Sequence, residues 1–293
     1  MFIVPEKLGF IGELPRPLID RAVLAALEED LGLAGDLTSQ ATLSPQANAV
    51  ATLSSREPGV IAGLAIAAAA FRLIGDGVVF ESFVTDGEAV APGDIVARVS
   101  GNARLVMSAE RVALNFLNPL SGIATLTRTY VDAIAGTGAR ICDTRKTAPG
   151  LRAFQKYAVR CGGGWNHRYG LDDAILIKDN HIAVAGGVTA ALKAAQAFAG
   201  HMVAIEIEVE TLGQLEEALA GGAVCVLLDN MDNDMLRQAV ALNAGRAKLE
   251  ASGRVRLDRV RSIAETGVDY ISTSQITISA PPLDLGLDVS IKD

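Results

Sequence analysis

The chain has 293 residues, of which 50% are hydrophobic and 20% charged, enough for one large or two ordinary domains with a substantial core. Its formal net charge of -8 argues against a broad basic face, and so against nucleic acid as the partner. The longest apolar run, residues 60–71, is shorter than the roughly 20 residues that cross a bilayer, so we expect no membrane span.

The three cysteines indicate a reducing compartment. Cys142, Cys161 and Cys225 are odd in number and lack metal-ligand spacing. The N-terminus, with Glu6 and several prolines, lacks the basic-then-apolar order of a signal peptide. We therefore expect buried thiols in a cytoplasmic protein.

The N-terminal part of the chain predicts an α+β domain. After an irregular start at residues 1–17, a helix runs to Leu31 with Asp20 as its cap, and a loop around Asp36 follows. Strands are predicted near 47–54, 60–62 and 78–84, with a helix at 65–74 and two short strands that end near Val99. Strands with a few helices on one side are typical of an open sandwich.

Two helices are predicted around Pro119, at residues 108–117 and 121–135. Pro119 should break or kink the first of them because proline lacks a backbone donor. Arg111 lies on the first helix beside Glu110, and the residues alone favour a surface ion pair there.

From residue 139 onward, strand and helix patterns alternate. The predicted strands are 140–143, 174–178, 203–209, 224–229, 247–251 and 268–272. The predicted helices are 151–160, 189–198, 212–220, 235–242 and 257–266. Alternation with short loops indicates parallel strands and right-handed crossovers. Six strands fall short of the eight of a full TIM barrel.

Nearly every one of these strands ends in polar residues. They are Arg145 and Lys146, Lys178, Glu208 and Glu210, Asp229 and Asn230, Ser252 and Gly253, and residues 272–274. The carboxyl ends of parallel strands meet at one mouth, so these groups would form a site that is cationic on one side and acidic on the other. Such a site suits a small polyanionic ligand, whereas the plainer interpretation is a solvated network of salt bridges.

Residues 141–181 hold the densest cluster of charge, in the motifs DTRKTAPGLR, KYAVRCGGGWNHR and LIKDNH. Arginine suits carboxylates because its planar fork donates two parallel hydrogen bonds, while lysine is a compact point charge. The motifs resemble those of the quinolinate phosphoribosyltransferases, also called carboxylating nicotinate-nucleotide pyrophosphorylases. The resemblance runs from Glu29-Asp30 to Ala280-Pro281.

The resemblance implies an α/β protein of two domains. Residues 1–120 would form the open α+β sandwich, and residues 121–293 an incomplete TIM-like α/β barrel of the type II phosphoribosyltransferases. The last ~15 residues are left free to pack back on the first domain. The implied assembly is a homodimer with shared active sites, with a hexamer as a further option.

The implied reaction transfers a phosphoribosyl group from phosphoribosyl pyrophosphate (PRPP) to quinolinate with decarboxylation. Its products would be nicotinate mononucleotide, pyrophosphate and carbon dioxide, in NAD biosynthesis, with Mg²⁺ as cofactor. The implied substrate-binding residues are Arg111, Arg145, Lys146, His167, Arg168, Lys178, Glu208, Asp229, Ser252, Gly253 and Ser274. The implied catalytic residues are Lys146, Lys178, Glu208 and Asp229. Mg²⁺ would lie at Glu208 and Asp229, directly or through substrate oxygens, and Arg111 would reach the partner subunit's substrate.

Several assignments stay open. Alternation places Glu206, Glu208 and Glu210 on one face of a strand, and only the distance to Asp229, compared with the family, favours Glu208. Residues 252–253 predict a phosphate cradle of backbone N–H groups. Arg254 and Ser274 stand where the family usually has glycines, and Arg254 either contacts phosphate or points to solvent.

Three other functions also remain possible from the sequence. The chain could be a related phosphoribosyltransferase that acts on another base. Lys146 or Lys178 could serve a Schiff-base lyase, and a sensor could bind PRPP without consuming it.

Overall fold

The computed structural model describes residues 12–290, so the predicted irregular start lies partly outside the described residues. Within that range the chain divides into two compact units. The first runs up to Arg128 and also takes in Ala153–Gly163 and the residues from Ala280 onward. The second comprises Thr129–Arg152 and Gly164–Ser279.

The helices and strands follow one another along the chain with short connections. In chain order, the helices are α1 (Arg16–Leu31), α2 (Leu37–Thr42), α3 (Leu64–Leu73), α4 (Ala103–Ala133), α5 (Arg152–Cys161), α6 (Asp179–Ala185), α7 (Val188–Phe198), α8 (Leu212–Ala220), α9 (Asn233–Asn243), α10 (Leu257–Ala264) and α11 (Gln275–Ile278). The strands are β1 (Asn48–Ser55), β2 (Gly59–Val60), β3 (Val79–Ser82), β4 (Ala89–Val90), β5 (Ile95–Asn102), β6 (Arg140–Cys142), β7 (Ala174–Ile177), β8 (Ala204–Val209), β9 (Cys225–Asp229), β10 (Lys248–Ser252), β11 (Tyr270–Ser272) and β12 (Leu285–Ser290).

The first unit is built on an antiparallel sheet in the order β12-β1-β5-β3. Alternate residues of β1 are buried, as period-two patterning requires of a sheet with one covered face. The apolar helix α3 packs close to β3, where the Phe71 and Phe80 rings stack 5.8 Å apart. This arrangement agrees with the predicted α+β sandwich.

Two details of the first unit differ from the prediction. α1 begins at Arg16 rather than at an Asp20 cap, because proline is favoured in the first turn, where the helix needs no N–H donor. Asp20 instead accepts a hydrogen bond from Arg72. The predicted loop contains α2, because the Asp36 carboxylate accepts the Ser39 N–H and so caps a short helix.

The prediction of two helices separated at Pro119 was wrong, because α4 runs through this proline without interruption. An interior proline costs a helix roughly 3 kcal/mol or more. Leu117, Leu120 and Ile123 on either side are all buried, and burying each leucine or isoleucine side chain stabilises by roughly 1.5–3 kcal/mol. Tertiary packing therefore outweighs the local cost.

The second unit holds a six-stranded parallel sheet in the order β6-β11-β10-β9-β8-β7. All six predicted strands are confirmed, with ends that shift by at most two residues. Its core residues are Ile141, Ile207, Val226, Leu228, Leu249 and Ile271. Because every strand runs the same way, the six carboxyl ends share one edge of the sheet. The predicted α/β fold class is confirmed.

Within residues 12–290, no helix is both long and apolar enough to cross a bilayer. The thiols of Cys142 and Cys161 are buried, and Cys225 is half-buried.

Candidate active site

A cavity of about 610 Å³ lies at the carboxyl ends of the parallel strands, entirely within the second unit. This is the edge at which parallel α/β sheets place ligand sites, and the volume suits a small molecule. The predicted site residues that line it are Arg145, Lys146, His167, Arg168, Lys178, Glu208, Asp229, Ser252, Gly253 and Ser274. Arg111 does not line it, and is exposed on α4 in the first unit.

Arg145 and Arg168 form the cationic part of the cavity wall. Both are half-buried, and the Nε atom of each is buried with no hydrogen-bond partner among the described residues. Arg168 Nη1 donates to the Ala174 carbonyl at 3.0 Å. Burial lowers the pKa of the Arg168 guanidinium, and the positive charge of Arg145 lowers it further. Two such donors, close enough to repel each other, would be stabilised by an anion between them.

His167 is held on both sides of its ring. Its Nδ1 accepts the Arg168 backbone N–H at 2.8 Å, so Nδ1 carries no proton. Its Nε2 lies 2.8 Å from Glu206 Oε2 and therefore carries the proton of a neutral imidazole. The backbone N–H of His167 also donates to the buried Asp143 carboxylate at 2.9 Å. The ring thus lines the cavity and orients the loop that carries Arg168.

Glu250 is a residue of the cavity wall that the sequence analysis missed. It is 4% exposed, and its Oε1 has no hydrogen-bond partner among the described residues. Burial raises the pKa of the Glu250 carboxyl, and the charge of the nearby Glu206 raises it further. One signal could have found it, because Glu250 is a charged residue inside a strand whose neighbours Leu249 and Ala251 are apolar.

The group formed by His167, Glu206 and Glu250 also has the composition of a metal site. Their nearest ligand atoms all lie within 4.8 Å of one another. A metal would have to replace the proton on His167 Nε2, while Nδ1 is already committed to accepting a backbone N–H. The hydrogen bonding therefore favours a proton-bearing cluster over a metal centre.

The raised pKa of Glu250 predicts a pH-dependent cost in stability. Above its ordinary pKa of 4.5 the unfolded chain ionises Glu250 while the folded chain keeps the proton, so stability falls as pH rises toward the folded pKa. We expect Glu250→Gln to raise the free energy of unfolding by about 1–3 kcal/mol at pH 8 and by less at pH 5. Urea unfolding at the two pH values measures this difference, with Glu216→Gln on the exposed face of α8 as the control. If both variants changed the free energy of unfolding equally, or if the effect of Glu250→Gln were no larger at pH 8 than at pH 5, the raised pKa of Glu250 would be contradicted.

The three glutamates on β8 and just after its end differ in whether they line the cavity. Glu208 is buried, lines the cavity and accepts a 2.6 Å hydrogen bond from Lys178 Nζ. Glu206 turns to His167 and does not line the cavity, and Glu210 is exposed past the end of the strand. The geometry therefore favours Glu208, as the sequence prediction did. Asp229, at the end of β9, lines the same cavity and is half-buried.

A tight turn after β10 forms another part of the wall. The Asn230 N–H donates to the Ser252 carbonyl at 2.9 Å and brings the two strand ends together. Gly253 has φ +88°, and a Cβ there would lie 2.8 Å from the Asn230 backbone nitrogen. Only glycine fits both the left-handed backbone and this close approach. Arg254 follows with φ 51° and lines the cavity.

A parallel α/β unit whose strand ends surround a cavity of fixed cations and carboxylates defines an enzyme that acts on small anionic substrates. Comparison with known families agrees with this class. Residues 36–121 match the N-terminal domain of quinolinate phosphoribosyl transferase, and residues 123–288 match its C-terminal domain. The chain belongs to the quinolinate phosphoribosyltransferase family, and the resemblance found in its motifs is confirmed.

Relatives and solved structures extend over most of the chain. It is 44% identical over 265 residues to a probable carboxylating nicotinate-nucleotide pyrophosphorylase of Bacillus subtilis, covering 90% of this chain and 91% of that one. The corresponding enzyme of Mycobacterium leprae is 44% identical over 271 residues, covering 90% and 94%. The crystal structure of NadC from Streptococcus pyogenes superposes with a TM-score of 0.93 at 40% identity, covering 96% of this chain and 100% of that one.

Proposed function

We propose that this chain transfers the phosphoribosyl group of PRPP to quinolinate and releases carbon dioxide, to give nicotinate mononucleotide and pyrophosphate for NAD biosynthesis. The observation that carries this function is the pair Arg145 and Arg168, whose buried Nε donors lack partners among the described residues. Quinolinate carries two adjacent carboxylates, which can accept from two guanidinium forks. Membership of the family supports the same reaction.

The other cations suit the second substrate. Lys146 is exposed at the cavity wall, and Lys178 reaches the cavity with its ammonium on Glu208. Each can meet a phosphate or carboxylate oxygen as a point charge. Bringing two anions together in a partly buried pocket costs Coulomb energy, which a set of fixed positive charges offsets.

The reaction needs no nucleophile from the enzyme. The lone pair of the pyridine nitrogen forms a bond to ribose C1, while the bond from C1 to oxygen breaks and its electrons leave with pyrophosphate. The carboxylate next to the ring nitrogen then leaves as carbon dioxide, and the electron pair of the broken bond stays on that ring carbon, beside the positively charged nitrogen, until the carbon takes up a proton. In this scheme Arg145 and Arg168 orient the ring, and the carboxylates of Glu208 and Asp229 face the developing positive charge of the ribose.

Magnesium fits this site as an ion bound largely through substrate. Glu208 and Asp229 offer oxygen ligands at the cavity, as Mg²⁺ prefers, but one Glu208 oxygen already accepts from Lys178. A site with only these two carboxylates suits an ion that keeps water and phosphate oxygens among its ligands. When bound, Mg²⁺ would neutralise the pyrophosphate and make it a better leaving group.

The assembly we propose is a cytoplasmic homodimer with shared active sites, in which the exposed Arg111 serves the partner subunit's substrate. Arg111 is exposed on α4 in the first unit and is not among the residues that line the cavity, which is compatible with this role. The molar mass of the purified protein and mixing of Arg111→Ala with an active-site variant to restore activity would test it.

The test of the activity is direct. Pure protein with quinolinate, PRPP and Mg²⁺ should release carbon dioxide and pyrophosphate in equal amounts. Nicotinate offered in place of quinolinate should not be converted. No turnover of quinolinate would overturn the proposal, and preferential turnover of nicotinate would favour a related phosphoribosyltransferase.

A further inference from the structure

Arg254 has a backbone conformation that is unusual for its residue type. Among the described residues other than glycine, only Asn230, Ala244 and Arg254 have positive φ, and Arg254 has φ 51°. Asparagine tolerates this region and Ala244 ends a helix, whereas an arginine in a loop gains nothing from it locally. A glycine would adopt the same turn at lower conformational cost.

The Arg254 side chain is exposed, lines the cavity and has neither a hydrogen bond nor an ion pair within the described part of the chain. Arg256, two residues further on, instead lies 3.6 Å from the Asp258 carboxylate and does not line the cavity. The guanidinium of Arg254 is therefore available to a ligand in a way that its neighbour is not.

The wall around Arg254 is otherwise poor in positive charge. The residues that follow β10 and β11 and line the cavity are Ser252, Gly253, Arg254, Val255, Thr273, Ser274 and Gln275. Among these described residues Arg254 is the one cation. The remaining cations of the cavity are Arg145, Lys146, Arg168 and Lys178, and none of them lies on the segments after β10 and β11. Hydroxyls and backbone N–H groups can bind phosphate oxygens there, but they leave its charge of about -2 unbalanced.

We infer that Arg254 is a phosphate-binding residue that sets the affinity for PRPP and has little effect on quinolinate. The inference rests on the proposed function and deepens it. The side chain would donate charge-assisted hydrogen bonds to a phosphate group held at the Ser252-Gly253 turn. That group is either the 5′-phosphate or the pyrophosphate of PRPP, and the two share the same chemistry.

The test separates charge from backbone geometry. Arg254→Gly and Arg254→Asn remove the charge with residues that accept positive φ, and Arg254→Lys keeps the charge. We expect the first two variants to raise the KM for PRPP about tenfold, the value of one charge-assisted contact at an exposed site, with kcat and the KM for quinolinate nearly unchanged. Arg254→Lys should recover most of the affinity. Arg256→Ala is the matched control, because it removes a positive charge from the same loop outside the cavity, and its KM should stay at the wild-type value.

Calorimetry with ribose 5-phosphate and with inorganic pyrophosphate extends the test to binding without turnover. Weaker binding of one of these probes by Arg254→Gly identifies which phosphate the side chain contacts. Wild-type affinity of Arg254→Gly and Arg254→Asn for PRPP and both probes would overturn the inference, as would an equal loss in Arg256→Ala. If the wild-type protein did not turn over quinolinate, the proposed function would fail, while the two probes would still decide the role of Arg254.

Discussion

Neutralising Arg145 and Arg168 together, as Arg145→Gln with Arg168→Gln, should weaken the binding of quinolinate by about a thousandfold. Each charge-assisted, two-pronged contact contributes about 1.5–3 kcal/mol, so losing two removes about 3–6 kcal/mol. The fold should not suffer. The buried Nε atoms of the two arginines lack partners within the described residues, and the charge of Arg145 disfavours that of Arg168. Removing both charges relieves this unfavourable arrangement.

Calorimetric titration with quinolinate measures the loss of binding, and thermal unfolding of the same samples measures whether the fold is kept. Arg237→Gln is the matched control, since Arg237 is exposed on α9 and pairs with Asp234 at 2.6 Å outside the cavity. Undiminished binding of quinolinate by the double variant would refute the assignment of these arginines. A large fall in melting temperature would show instead that their charges are structural.

Elements with a strong local pattern were predictable from the sequence, and helices too short to show a period were not. The six parallel strands are compact apolar runs between helical patterns, so local sequence was sufficient. α6 and α11 have only seven and four residues, too few to show an apolar period. β12 pairs with β1 at the other end of the described chain, and no local signal can reveal such a partner. At Pro119 the local sequence predicted a break in the helix, but packing around α4 keeps the helix continuous.

The position of the site was predictable for a topological reason. Parallel strands place their carboxyl ends at one edge, so polar residues after successive strands must lie near one another. The direction in which each side chain points was harder to predict from the sequence than the position of the site. Glu206 and Glu208 share one face by alternation, and only non-local contacts, of Glu206 with His167 and of Glu208 with Lys178, separate them in the structure. The strand pattern of β10 offered a signal for Glu250, a charged residue between two apolar ones, but the nearby Glu206 that further raises its pKa lies on β8 and cannot be inferred from β10 alone.

Replacing Glu208 with glutamine should lower kcat by about a hundredfold to a thousandfold. The change keeps the size of a buried side chain at the cavity but removes the charge that would face the ribose and a substrate-bound Mg²⁺. Its hydrogen bond to Lys178 can survive through the amide oxygen, so quinolinate affinity should change little.

The control for this prediction is Glu210→Gln, two residues along the chain, where the side chain is exposed and outside the cavity. Initial rates across a Mg²⁺ series should show a low kcat for Glu208→Gln at every concentration, because the missing charge acts in the transition state as well as on the ion. Full recovery at high Mg²⁺ would limit Glu208 to holding the ion. Equal rates in wild type and Glu208→Gln would remove Glu208 from the mechanism. An equal loss in Glu210→Gln would show that the effect does not depend on a position at the cavity.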